Sequence, residues 1–289
     1  MIGSVWAALM LLAADPTARA PQTAPVEAER PAACQEDANG EIDMAACAAG
    51  APEGSSWRSL ALINLARDAY LDGDVRRAVE LYDQAQPPGT TIRSDFLFHA
   101  FRSDALRRVG RAEEALADAE RSWSLISTSE ASTLPQPPLN DDSRAMTLAL
   151  ILPTLKASGS AVFLQALAAY EALPANGWAG LADKAGVLEQ LGDLDGAVAA
   201  IEQARAEAPE HAGVLNNHCY ILTQAGRAGE GLGSCERAVE LAPEAAPIRH
   251  SHAAALAALG RCAEAERELA EARRLDPASQ AYQTPLTCG

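Results

Sequence analysis

The side chains with the widest chemical range in this sequence are six cysteines (Cys34, Cys47, Cys219, Cys235, Cys262 and Cys288) and five histidines (His99, His211, His218, His250 and His252). A metal pair on a helix needs ligands that share a face. His250 and His252 are two residues apart and point to different faces, and adding Cys262 does not repair that. No HExxH, paired CxxC or phosphate-loop pattern occurs. The stretch GEGLGSCE, residues 229–236, has glycines spaced loosely like a nucleotide loop, but it follows no strand and so lacks the setting that phosphate binding requires. Carboxylate pairs are abundant and are spread over alternate faces of polar helices. The expectation is no active site, no metal and no cofactor. The cysteines are a separate matter, because six of them allow fifteen pairings.

The elements that carry these residues are set by a repeat. Gly192, Gly226 and Gly260 are spaced 34 apart, and Ala204, Ala238 and Ala272 keep the same step, as do Pro209, Pro243 and Pro277. A period of 34 predicts stacked helical hairpins. Each glycine follows an apolar helical run (VLEQLG, ILTQAG, ALAALG) and sits where a helix stops in a left-handed turn. Asp193, after the first, can cap the next helix; Arg227 and Arg261 in the same slot cannot. Small residues on the second helix (Ala197, Gly231, Ala265) face small residues on the first (Ala185, Cys219, Ala253), which allows close antiparallel packing. Each proline pushes the residue before it, Ala208, Ala242 or Asp276, out of helical geometry.

These residues resemble tetratricopeptide repeats, strongly over residues 178–277 and more weakly over much of the remainder. The chain departs from the family pattern where Arg249 replaces the bulky residue near the start of the last first helix. It departs again where Ile201, Cys235 and Leu269 stand for the usual aromatic. The fold implied is all-α, a right-handed α-solenoid of stacked helix-turn-helix hairpins. In earlier sequence, Ala66, Gly73, Ala78, Tyr82 and Ala85 repeat the offsets, and Gly110 and Ala115 mark a second unit, with Ser103 and Ser122 in its other small slots. Residues 55–126 therefore read as two N-terminal units and 127–143 as an exposed Ser/Pro-rich loop. Residues 144–177 read as a degenerate unit with its first helix interrupted at Pro153, and 178–277 as three strong units. The expected total is six hairpins, followed by a tail, 278–289, in which Tyr282 and Leu286 help to cover the last one.

Register then suggests local cysteine pairs. Cys219 and Cys235 occupy facing small positions of one hairpin, Cys262 lies within reach of Cys288 through the folded-back tail, and Cys34 with Cys47 brackets a short polar loop. The competing reading of Cys219 and Cys235 is that they are small core residues.

The resemblance also implies a concave groove lined by the first helices. Its wall would present Ala182, Gly186 and Glu189, then Asn216, Tyr220 and Thr223, then His250, Ala254 and Ala257, with Ile63, Arg67, Tyr70 and Arg107 in the first two units. The Lys/Asn/Arg set with which some relatives clamp a C-terminal carboxylate is absent from the three strong repeats. Tyr220, flanked by Asn216 and His250, is the expected anchor, with Glu189 and Thr223 beside it.

Composition fits this outline. Of 289 residues, 48% are hydrophobic and only 4% aromatic, which favours Ala/Leu helices over sheets. The net charge of −16 leaves no basic footprint for nucleic acid. The apolar run from Val5 to Ala14 is too short to span a bilayer and matches the middle of a secretory signal, giving 1–20 as a signal peptide and no stable membrane anchor. Neither Lys nor Arg precedes the run, and Pro21 follows the small-residue site at Ala18 and Ala20, so cleavage near Ala14 or Ala28 is an alternative. Residues 21–54 read as a Pro/Ala-rich linker containing the Cys34/Cys47 loop. The expected function is a non-enzymatic scaffold holding a protein or peptide in its groove, in the periplasm or outside the cell, with self-association also open to it. The alternatives are a cytoplasmic adaptor whose first residues are no signal, and an accessory subunit of an enzyme complex.

Overall fold

A computed structural model describes residues 30–37, 39–85, 92–128 and 140–288. The expected signal segment, 1–20, and the start of the linker lie outside them. Among the described residues the backbone is helix, turn and coil, with an isolated bridge between Glu36 and Ile42. The chain divides into two compact units that meet in sequence at Pro174 and Ala175.

The first unit begins with a short cap. A 3-10 turn, Ala32–Cys34, and helix α1, Met44–Gly50, are joined by the Cys34–Cys47 disulfide, with Cα atoms 4.5 Å apart. The described part of the expected linker is thus folded: Cys34 and Cys47 are buried, and α1 packs on the helix that follows. Its order comes from the cross-link and from Asp43, whose carboxylate accepts the Ala46 N–H as an N-cap. Three hairpins then follow: α2 (Ser56–Leu71) with α3 (Val75–Gln84), α4 (Ile92–Arg108) with α5 (Ala112–Thr128), and α6 (Asp141–Ala157) with α7 (Phe163–Glu171).

Two expectations need correction here. The loop expected over 127–143 is shorter, because α5 runs to Thr128 and α6 starts at Asp141, capped by the Asn140 side chain accepting from the Ser143 N–H at 3.0 Å. Pro153 does not interrupt the first helix of the degenerate unit; α6 continues through it. Leu148, Ile151, Leu152 and Leu155 are all buried around the proline, and their packing outweighs one missing backbone hydrogen bond.

The second unit holds α8 (Gly177–Gln190) with α9 (Leu194–Glu207), α10 (Ala212–Gln224) with α11 (Ala228–Leu241), and α12 (Ala246–Ala258) with α13 (Cys262–Leu275). A final turn of helix, α14, spans Gln280–Gln283. Gly192, Gly226 and Gly260 turn with φ of 73°, 71° and 71°, and the residue after each donates back to the helix (Arg227 N–H to the Leu222 carbonyl, 2.7 Å). The prolines act on their predecessors as the pattern requires: Ala208, Ala242 and Asp276 have φ of −131°, −140° and −138°, outside the helix. Asp193 caps α9 through the Gly196 N–H at 3.0 Å, whereas Arg227 and Arg261 turn instead to Glu230 and Glu264, three residues on. The core runs along the small positions: Ala185, Ala197, Cys219, Cys235, Ala253 and Ala265 are buried, and Ile201 and Leu269 fill the slots expected for an aromatic.

Candidate functional site

The first helices of the second unit bring together part of the expected groove. Glu189, near the end of α8, and Tyr220, in the middle of α10, meet across neighbouring hairpins: the Tyr220 hydroxyl donates to Glu189 Oε1 at 3.4 Å. Burial and the Glu189 carboxylate together push that hydroxyl well above the ordinary phenol range. Asn216 is one helical turn before Tyr220, on the same face of α10. It is only 1% exposed, and neither its amide nitrogen nor its amide oxygen meets a hydrogen-bond partner among the described residues.

The remaining two expected residues are placed differently. Thr223 turns its hydroxyl back to the Cys219 carbonyl of its own helix at 2.8 Å. His250, on α12, sits against the C-terminal segment, its ring centroid 5.2 Å from that of Tyr282, and burial lowers its pKa. His250 therefore flanks the tail, and Tyr220, at 5% exposure, is packed among its neighbours instead of standing free. The small residues expected beside them, Ala182, Gly186 and Ala257, are buried. Asp183 remains open to solvent yet is crowded by protein, and that desolvation raises its carboxyl to about 6.

All six cysteines lie in pairs. Beyond Cys34–Cys47, Cys219 joins Cys235 with Cα atoms 5.3 Å apart, and Cys262 joins Cys288 at 5.7 Å.

Sequence reasoning missed several polar contacts. In the first unit Asp104 is buried, accepts the Tyr70 hydroxyl at 2.6 Å, and forms ion pairs with Arg108, 2.6 Å from its Nε, and with Arg107. Burial works to raise the Asp104 carboxyl, but the Arg108 and Arg107 guanidiniums outweigh it and hold it below the usual range. Tyr70 and Arg107 were both expected on the groove wall; the residue that links them was not. Their spacing held the signal, since Asp104 lies 34 residues after Tyr70. In the same unit His99 Nδ1 lies 2.6 Å from Asp118, whose other oxygen meets Arg102 at 3.1 Å. A His–carboxylate pair can orient a base. Here, however, the buried serines of that hairpin are committed elsewhere, Ser103 to the Ala115 carbonyl and Ser122 to the Phe96 carbonyl, both at 2.9 Å. In the second unit His218 and His252, also 34 apart, occupy one register position and are buried, with Glu202 3.2 Å from His218 and Glu268 3.7 Å from His252. Among the described residues no group of three His, Cys, Asp or Glu side chains is arranged to hold a metal ion.

Comparison with known proteins identifies the fold. A scan against protein-family models and a search of curated proteins found no match. Solved structures do match. A tetratricopeptide repeat protein from Parabacteroides merdae is 13% identical, with a TM-score of 0.55 over 83% of this chain and 90% of that one. YrrB, described as a TPR protein with an unusual peptide-binding site, is 14% identical over 78% of this chain and 90% of its own, at a TM-score of 0.33. The TPR2AB domain of yeast Sti1, solved in complex with pHSP90, is 17% identical over 79% and 95%, at 0.34. Identities this low speak to fold alone. The chain has the tetratricopeptide-repeat fold: helical hairpins in series, each turning on a left-handed glycine between its two helices.

Proposed function

We propose that this protein is a non-enzymatic scaffold that binds an extended segment of a protein or peptide along the first helices of its second unit. The observation that carries this reading is Asn216. A buried amide with no partner costs about 1–3 kcal/mol for each unsatisfied group, and native proteins keep few of them. An asparagine side chain offers one donor and one acceptor side by side, the complement of a peptide backbone group. Asn216 lies one turn from Tyr220, whose hydroxyl meets Glu189, so a bound backbone that displaces the side chains covering the amide would meet polar groups in an otherwise small-residue surface. Glu189 and Asp183 favour a segment carrying positive charge.

The compartment is part of the proposal. Three cysteine pairs at disulfide distance suit an oxidising environment, which favours the cell envelope or the exterior over a cytoplasmic adaptor. Among the described residues no helix is long and apolar enough to cross a membrane. The test is in-cell crosslinking from a photoreactive side chain at Thr223, followed by mass spectrometry, alongside subcellular fractionation. A discrete crosslinked partner, lost on Asn216→Ala, supports the reading; no crosslinked partner, or one indifferent to Asn216, contradicts it.

A further inference from the structure

The three cysteine pairs differ in one respect that matters for chemistry. Cys34, Cys47, Cys219 and Cys235 are at most 1% exposed, whereas Cys262 is exposed and Cys288 is half-buried. Thiol–disulfide exchange proceeds by in-line attack of a thiolate on a sulfur and so depends on access. The Cys262–Cys288 bridge can be reached in the folded protein; the other two require the fold to open first.

What this bridge holds is the end of the second unit. Ser279, the residue before α14, lies 34 residues beyond Ala245, the residue before α12, so α14 begins where the first helix of another repeat would begin. It lasts only four residues, and Pro285 follows. The segment then returns along α13. Tyr282 packs on Ala246, Ala253, Leu269 and Ala272, and Leu286 packs beside Leu256, Ala257 and Ala265. Arg273 Nε donates to the Tyr282 carbonyl at 2.7 Å, and Cys288 closes the circuit on Cys262 at the start of α13. A four-residue helix has no stability of its own. The tail is held chiefly by Tyr282, Leu286, the Arg273 hydrogen bond and the covalent bond.

We propose that Cys262–Cys288 is a reversible redox site, a latch opened by an external dithiol, and that its reduction releases residues 278–288 from the end of the array. One thiolate of the dithiol attacks a sulfur of the bridge, forming a mixed disulfide and expelling the other cysteine as thiolate. The second thiol of the reagent then displaces the remaining cysteine. Two electrons and two protons pass to the protein, leaving Cys262 and Cys288 as thiols and the reagent as a disulfide. The freed tail uncovers Ala246, Ala253, Leu269 and Ala272 and takes Tyr282 off the His250 ring. This inference does not depend on what the groove binds.

The test uses the full oxidised chain and dithiothreitol at limiting concentration. Aliquots are quenched with iodoacetamide for peptide mapping, and hydrogen exchange is followed in parallel. Cys262 and Cys288 are expected to alkylate about tenfold or more faster than the other four cysteines, while the amides of 280–286 lose protection and those of 178–275 keep it. A Cys288→Ser variant is expected to lose the same tail protection without reductant while retaining the helical circular-dichroism signal. Equal or earlier reduction of either buried pair would overturn the proposal. So would undiminished protection of 280–286 once Cys262 and Cys288 are alkylated.

Discussion

Gly231 on α11 lies so close to Cys219 on α10 that a Cβ added to it would sit 3.2 Å from both the Cys219 Cα and its carbonyl oxygen. The neighbouring hairpins pair Ala185 with Ala197 and Ala253 with Ala265 at the same register. In the middle hairpin the first-helix residue is larger, and the second-helix residue is correspondingly smaller. The smaller residue on one helix thus makes room for the larger one on the other. We expect Gly231→Ala to destabilise by about 1–3 kcal/mol through overpacking. Gly233→Ala, two residues on with nothing within 4 Å of its added Cβ, should stabilise by about 0.5–1 kcal/mol. Urea unfolding of the two variants checks the pair, and equal effects would contradict the packing argument.

Pro153 makes a second case. Its ring crowds the preceding turn of α6 and its nitrogen donates nothing, so the helix persists in spite of it. Replacing Pro153 with Ala should raise stability by about 1–3 kcal/mol, somewhat less than the full helix-interior difference because some ring contacts are lost. Thermal unfolding measures this, and a lowered midpoint would mean that the proline is needed for packing.

The pH dependence follows from opposed groups in the second unit. Burial lowers the pKa of His218, His250 and His252, so the unfolded chain binds more protons than the folded one near neutrality. The stability these groups contribute is fully present above the unfolded value of about 6.5 and is lost as pH falls through the folded values. Asp183 acts in the other direction. Its folded pKa of about 6 lies above the unfolded one, so its destabilising effect grows as pH rises toward 6 and is absent below the unfolded value. Stability should fall on acidification from pH 7 to 5, and His218→Gln should flatten the slope. A titration of the Asp183 carboxyl by NMR should give a midpoint near 6, where an ordinary value near 4 would refute the crowding of that site.

Much of this architecture was legible in the sequence because its marks are backbone requirements. A glycine that must turn left-handed and a proline that must end a helix are nearly independent of context, and the turns at Gly192, Gly226 and Gly260 follow directly. Pro153 was misread because a local rule was applied where four buried aliphatic neighbours decide the outcome. The Cys34–Cys47 pair was expected from the sequence, but the short helix α1 that it holds was not, because the composition of the segment says linker. For the groove, register placed Glu189, Asn216 and Tyr220 on one wall. It could not tell that Asn216 would be sealed and unpartnered, or that the cap would take His250. Asp104 went unnoticed because its role depends on a contact between α2 and α4 that no single-helix pattern contains.

The groove assignment predicts an unusual combination for Asn216→Ala: the stability of the free protein unchanged or higher, because a buried unsatisfied amide is removed, and affinity for the crosslinked partner segment at least about tenfold weaker. Isothermal titration of wild type and variant with that segment, beside their thermal midpoints, is the most direct measurement. Weaker binding without loss of stability is the predicted result. A variant that unfolds more easily and binds as tightly as wild type would place the amide in the core and take the groove away from it.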